Sequence, residues 1–283
     1  MKKRRPWRKV LYEDQDYPDN HVDKSFLEEM KKNLHTRTYK LRDVIWESGV
    51  VSQQISSVCI FASLFVYMEQ DNLSPSTLLM ISSALTLSGY LLYDLMDHGE
   101  AREKSGRTRM DDVKSMLLVL GCVLFFSPVL KNLTDTISTD TIYAMTAVML
   151  GMNLLFHDYG TSAAIVSNSA SLNSATFASV CLASRLPTAW HAFVTVIFAM
   201  QLFALLPALR QQIKAKLGLL HVLFTCCMVG VSAFLLYPLS LLMASLFVMI
   251  ILDVTLLCPL WLVKLQDLKN NIHGPWDEAV ITE

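Results

Sequence analysis

HDYGTSAAIVSNSASLNSATFASVCLASRLP, residues 157–187, governs how the rest of the chain is read. From Thr161 to Ser184 it carries neither charge nor proline, which is enough for a helix to cross a bilayer. Yet Ala, Ser, Thr and Asn dominate it rather than Leu and Ile. Steps of four residues give Ala163, Ser167, Ser171, Ala175, Ser179 and Ala183, a ridge of small side chains. In lipid no hydrophobic force draws helices together, so such a ridge invites close packing. Asn168 and Asn173 are costly against hydrocarbon and are expected to face protein or a water-filled groove. Two readings stay open: a helix buried within its own bundle, or a polar surface used by a partner or a lipid headgroup.

Working outward, apolar segments recur along the whole chain. Hydrophobic residues are 53% of the 283, and Leu219–Val263 holds Asp253 as its only charge. Tyr237-Pro238 divides that run into two spans. The pattern predicts an all-α polytopic bundle of about eight transmembrane helices, near 49–68, 76–95, 113–130, 140–156, 162–184, 188–209, 218–236 and 239–263. The first is the weakest, holding Gln53, Gln54 and several serines. Eight crossings put 22 of the Lys and Arg residues on one side and leave only Lys131 and Arg185 on the other, so both termini are expected in the cytosol. The basic start is followed by polar residues, and no signal peptide is expected. The six cysteines lie in predicted spans without a C-x-x-C pair, which indicates neither a disulfide framework nor a zinc site.

This divides the chain into a cytosolic N-terminal segment (1–48), a transmembrane domain (49–263) and a cytosolic tail (264–283). Ser25 and Glu28 read as a capping box opening an amphipathic helix, with Phe26, Leu27, Met30 and Leu34 on one face. Lys31, Lys32 and Arg37 around that face suit anionic headgroups, or simply the charge bias of the cytosolic side. In the loop after the second span, Arg102, Lys104, Arg107 and Arg109 are candidate contacts to phosphate or to a partner. In the tail, the last helix is expected to continue to Gly274-Pro275, and Trp276 looks like an interface anchor.

Chemistry is harder to find. Asp14-Gln15-Asp16 has a metal-binding D-x-D form but no strand–helix alternation around it. DHGEAR (97–102) lacks the further spaced Asp residues that a phosphotransferase motif needs. His157 and Asp158 would sit at the mouth between the fourth and fifth spans and could form a proton-transfer pair. Asp253 is the one carboxylate well inside a span and is expected to find a polar partner, with Asn168 and Asn173 as candidates. There is no phosphate loop, no H-E-x-x-H and no dinucleotide fingerprint. These residues name no reaction and call for no metal or cofactor.

Four blocks carry a resemblance: KVLYEDQDYPDNHVDKSFLEEMKKNLHTRTY, DLMDHGEAR with KSGRTR, HDYGTSAAIVSNSASLN…FASVCLASRLP, and KNNIHGPWDEA. Together they resemble the PIG-C family, which supplies one of the subunits of phosphatidylinositol N-acetylglucosaminyltransferase. The resemblance implies a multi-pass protein of the endoplasmic reticulum membrane, in the complex that moves N-acetylglucosamine from UDP-GlcNAc to phosphatidylinositol at the start of GPI-anchor synthesis. It further implies a non-catalytic role, scaffolding the catalytic subunit PIG-A and helping to present the lipid. A groove lined by His157, Asp158, Asn168, Asn173 and Asp253 is the expected lipid or partner site. The alternatives are an enzyme acting through His157 and Asp158, or a lipid transporter or scramblase. The last would need an internal repeat between the halves, and none is visible.

Overall fold

The computed structural model describes residues 31–32, 39–97, 106, 108–160, 166–266, 268 and 272–273. They form eight helical rods: α1 (Leu41–Glu69), α2 (Pro75–Asp97), α3 (Arg109–Asn132), α4 (Thr139–Phe156), α5 (Asn168–Ala183), α6 (Ala189–Lys216), α7 (Gly218–Leu239) and α8 (Leu241–Gln266). Six of these, all but α4 and α5, are long and apolar enough to cross a membrane. The chain divides into two compact units, residues 45–258 and residues 1–44 with 259–283.

Side-chain oxygens start several rods. Thr108 and Asp111 form a reciprocal capping box on α3, while Ser138, Ser167, Thr188 and Ser240 each accept a backbone N–H in the first turn of their helix. The Leu219–Val263 run does split, at Ser240 rather than at the proline: Pro238 is still helical.

Two rods contain a π-helical turn, Gln201–Leu205 in α6 and Asp253–Leu257 in α8. Each ends two residues before a proline, Pro207 and Pro259. Proline offers no N–H to the preceding turn, and a local change of register absorbs the gap. The inserted residue also changes the phase of everything after it.

In the larger unit, α1 and α6 are the inner helices; the most apolar stretch of each is 56% buried. In α1 the buried side chains include Ser52, Gln53, Gln54, Ser56 and Ser57, so the weak first span is the polar heart of the bundle. This is the ordering expected in lipid, where the apolar phase is outside and polar groups turn inward. An apolar cluster lies farther along α1: Phe61 meets Phe198 at 6.2 Å between ring centroids and Phe203 edge-on at 5.5 Å. By contrast α3 is only 6% buried, and Leu118, Phe125 and Val129 point outward.

The stretch 161–184 corrects the expectation in length and confirms its packing. Its helix starts at Asn168, and 16 residues span roughly 24 Å, short of the ~30 Å hydrocarbon core. Ser167 caps it, and Ala163 lies outside the described residues. The ridge inside the helix is buried: Ser171, Ala175, Ser179 and Ala183, with Ala178 beside them. Helices α4 and α5 make the most extensive contact in the unit, and α6 covers α5 as well. Small side chains allow that approach.

In the smaller unit, Lys31–Lys32 pair antiparallel with Ile272–His273, and the Tyr39 N–H donates to Gln266 Oε1 at 2.6 Å. An amphipathic helix running through Lys31 and Lys32 is therefore not formed, because their backbone is extended and bonded to the C-terminal segment. The last helix likewise ends at Gln266, eight residues before Gly274.

Candidate functional site

At one end of the larger unit the start of α1, the end of α4 and the end of α6 enclose a cavity of about 560 Å³. Its walls are Trp46, Glu47 and Val50 from α1, His157–Gly160 after α4, and Pro207, Arg210, Gln211, Lys214 and Ala215 from α6. The loop is held locally. The Gly160 N–H donates to Asp158 Oδ1 at 2.8 Å, Gly160 takes φ +86°, and the Tyr159 hydroxyl donates to the Leu154 carbonyl at 2.7 Å. That φ belongs to the left-handed region glycine tolerates. The His157 ring stands edge-on to Tyr159 at 5.1 Å.

Behind the cavity runs a hydrogen-bonded chain through four helices. Arg210 Nη2 donates to Gln54 Oε1 at 2.5 Å, and Gln54 Nε2 to Asn153 Oδ1 at 2.8 Å. Asn153 Nδ2 donates to the Ser171 carbonyl at 2.9 Å, and Ser171 Oγ returns to the Asn153 carbonyl at 3.0 Å. Arg210, Gln54, Asn153 and Ser171 are all buried, the arginine to 3% exposure. Beside this chain, Gln53 Nε2 donates to Thr225 Oγ1 at 2.7 Å, and the neighbouring His221 ring packs on Trp46 at 4.9 Å. Gly49 makes room there: a Cβ on it would sit 3.0 Å from His221 Nε2.

Arg210 is only partly satisfied. Its Nε and Nη1 are buried without a hydrogen-bond partner among the described residues. The carboxylates nearby are engaged elsewhere, Glu47 with Lys214 and Asp158 with Gly160. The cavity thus holds an uncompensated positive charge. Burial, with a smaller contribution from Arg210, pushes the His157 pKa down to about 4, against the opposing pull of Asp158. His157 is therefore neutral near pH 7 and too weak a base to work as half of a proton-transfer pair. Burial likewise pushes Tyr159 up to about 12.

Of the five residues expected to line one groove, only His157 and Asp158 line this cavity. Asn168 and Asn173 are exposed, correcting the expectation that they face inward. Asn173 lies about 200° round the helix from Ser171, so burying the small ridge turns it out. Asp253 is exposed as well and takes its hydrogen bond from Cys258 Sγ at 3.6 Å, not from either asparagine. Arg109 is 74% exposed and pairs with Asp94 at 2.9 Å. Arg37, Arg102, Lys104, Arg107 and Trp276 lie outside the described residues, as do the side chains of Lys31 and Lys32. Sequence reasoning misses the residues that matter most here, Arg210, Gln54 and Asn153. Arg210 reads from sequence as loop charge just past a span ending at 209, whereas it lies inside α6 and points inward. The signal that could have found it is the pairing of that arginine with two glutamines and an asparagine in neighbouring apolar segments.

The family model described as phosphatidylinositol N-acetylglucosaminyltransferase, GPI2, matches residues 7–277. This chain belongs to that family. It is 50% identical over 277 residues to the human protein named as the PIG-C-type component of phosphatidylinositol N-acetylglucosaminyltransferase, covering 98% of this chain and 93% of the relative. The fission yeast GPI2 subunit is 34% identical over 98% of this chain and 87% of its own length. The budding yeast GPI2 subunit is 22% identical over 97% of both. No solved structure matches.

Proposed function

We propose that this chain is a non-catalytic, multi-pass subunit of a complex that transfers N-acetylglucosamine from UDP-GlcNAc to phosphatidylinositol. In this reading it holds the catalytic subunit, PIG-A, at the cytosolic face of the endoplasmic reticulum membrane and helps present the lipid. The observation that carries it is membership of the GPI2 family over residues 7–277, with relatives named as subunits of that transferase. The charge partition, 22 basic residues against two, supports eight crossings with both termini in the cytosol. That orientation opens the Arg210 cavity on the side where a soluble sugar nucleotide is used. Helices α4 and α5 complete the crossings, shielded from lipid largely by their neighbours. Asn168, Asn173 and Asp253, exposed on otherwise apolar rods, suit contacts to helices of other subunits. Lys31, Lys32, Arg37, Arg102, Lys104, Arg107, Arg109 and Trp276 remain the contacts assigned to headgroups or partners.

The test is synthesis of GlcNAc-phosphatidylinositol from UDP-GlcNAc in microsomes depleted of this chain, with and without its re-expression. Loss of product that re-expression restores is expected, together with no transfer by the purified chain alone. Undiminished synthesis in depleted microsomes would overturn the assignment, and transfer by the isolated chain would overturn its non-catalytic part.

A further inference from the structure

A guanidinium presents five N–H donors in a planar fork that fits two oxygens of one anion. In Arg210 one edge is anchored by Gln54, while Nε and Nη1 have no partner among the described residues. Burying a charge without compensation is among the most expensive arrangements in a protein, and more so at membrane depth. A fold that fixes the arginine through a four-helix chain, yet leaves half of its donors unused beside an open cavity, is built for a ligand that brings the missing negative charge.

The walls narrow the ligand further. Glu47 and Asp158 lie on the same cavity, so any charge beyond that matched by Arg210 is repelled there, whereas hydroxyl donors are welcome. Lys214 is neutralised by Glu47. A volume of about 560 Å³ lies in the range of sites for whole small molecules rather than bare ions. Trp46 and Tyr159 add aromatic faces suited to ring C–H groups. We infer that the cavity binds the singly charged phosphodiester of a hydroxyl-rich headgroup, with its phosphate oxygens on Arg210 Nε and Nη1 and its hydroxyls toward Asp158 and Glu47. A diphosphate, as in a sugar nucleotide, fits this charge balance poorly. The inference deepens the lipid-presenting part of the function proposed above, and it separates two sources of one chemistry: an inositol phospholipid of the membrane, or its soluble glycerophosphodiester.

The experiment uses the full chain in nanodiscs of phosphatidylcholine, alone or with 5 mol% phosphatidylinositol or phosphatidylserine. Retention of radiolabelled phosphatidylinositol is measured against soluble glycerophosphoinositol and UDP-GlcNAc as competitors. Wild type is expected to retain phosphatidylinositol at least tenfold over phosphatidylcholine and to ignore UDP-GlcNAc. Arg210→Gln should lose at least tenfold of that retention. Ala215→Phe, an exposed rim position that fills the cavity without touching the buried chain, should do the same if the cavity is the site. Displacement by glycerophosphoinositol at concentrations comparable with the lipid assigns recognition to the headgroup alone; no displacement assigns it to the membrane lipid. Retention unchanged in both variants overturns the inference, as does UDP-GlcNAc displacing the lipid. Its failure is distinct from that of the subunit assignment. If re-expression restores product while both variants bind normally, the subunit role stands without this site. If microsomal synthesis is indifferent to the chain yet binding needs Arg210, the site stands without the role.

Discussion

Replacing Gln54 by Leu tests the bundle at its most consequential contact. Gln54 is fully buried and serves two partners, accepting from Arg210 at 2.5 Å and donating to Asn153 at 2.8 Å. A hydrogen bond to a charged group is worth about 1.5–3 kcal/mol. An interhelical bond between neutral groups in a membrane protein averages about 0.6 kcal/mol. Gln54→Leu removes both at once, and the expected loss is about 2–3.5 kcal/mol. Arg210→Met alone leaves Gln54 Oε1 buried without a donor and should cost about 1–3 kcal/mol. The double variant makes both sides apolar and should cost less than the sum of the two by about 1–2 kcal/mol, since neither leaves an orphan behind. The assay is denaturant unfolding of the purified chain in detergent micelles, followed by helical circular dichroism. Additivity within about 0.5 kcal/mol, or a loss under about 1 kcal/mol for Gln54→Leu, would refute the claim that this pair holds α1 to α6.

Three further outcomes follow from the same geometry. Gly49→Ala should destabilise by about 1–3 kcal/mol, although alanine favours a helix, because the new methyl meets His221 Nε2 at 3.0 Å; unfolding midpoints at or above wild type would contradict this. Ala175→Leu, in the α4–α5–α6 seam, should cost about 1–3 kcal/mol, while Phe125→Ala on the outward face of α3 should stay within about 0.5 kcal/mol; comparing the two midpoints checks which surface is the packed one. In ligand-free protein the His157 pKa is held at about 4, so the unfolded chain takes up a proton near 6.5 that the folded one refuses. That contribution is complete above about pH 6.5 and is lost as pH falls toward 4. His157→Gln should therefore show a shallower decline of stability across that window, and parallel pH profiles would count against it.

The fold is largely legible in the sequence because long uncharged runs have few alternatives once a membrane is the solvent. All eight rods appear close to the predicted segments, and the small-residue ridge correctly marks a buried seam. Hydropathy alone reads least well where function concentrates. The first span looks marginal because its serines and glutamines lower its apolarity, and those are the side chains around which the bundle closes. Likewise the cost of burying them in lipid points Asn168 and Asn173 inward, but the ridge has a stronger claim to the interior and the helix has only one inward face.

What the amino-acid sequence determined by itself is the set of apolar rods, their punctuation and the asymmetry of basic charge, since each depends on nearby residues and on the solvent. Family membership is equally a property of the sequence. Only the tertiary structure decided which polar groups meet. Arg210 and Gln54 lie 156 positions apart, and Gln54 and Asn153 lie 99 apart. The π turn before Pro207 resets the phase of α6, so no helical periodicity carried across it points Arg210 inward. A buried arginine with two unused donors arises from how three helix ends converge, because whether a guanidinium is satisfied depends on distant chain segments rather than on its neighbours in sequence.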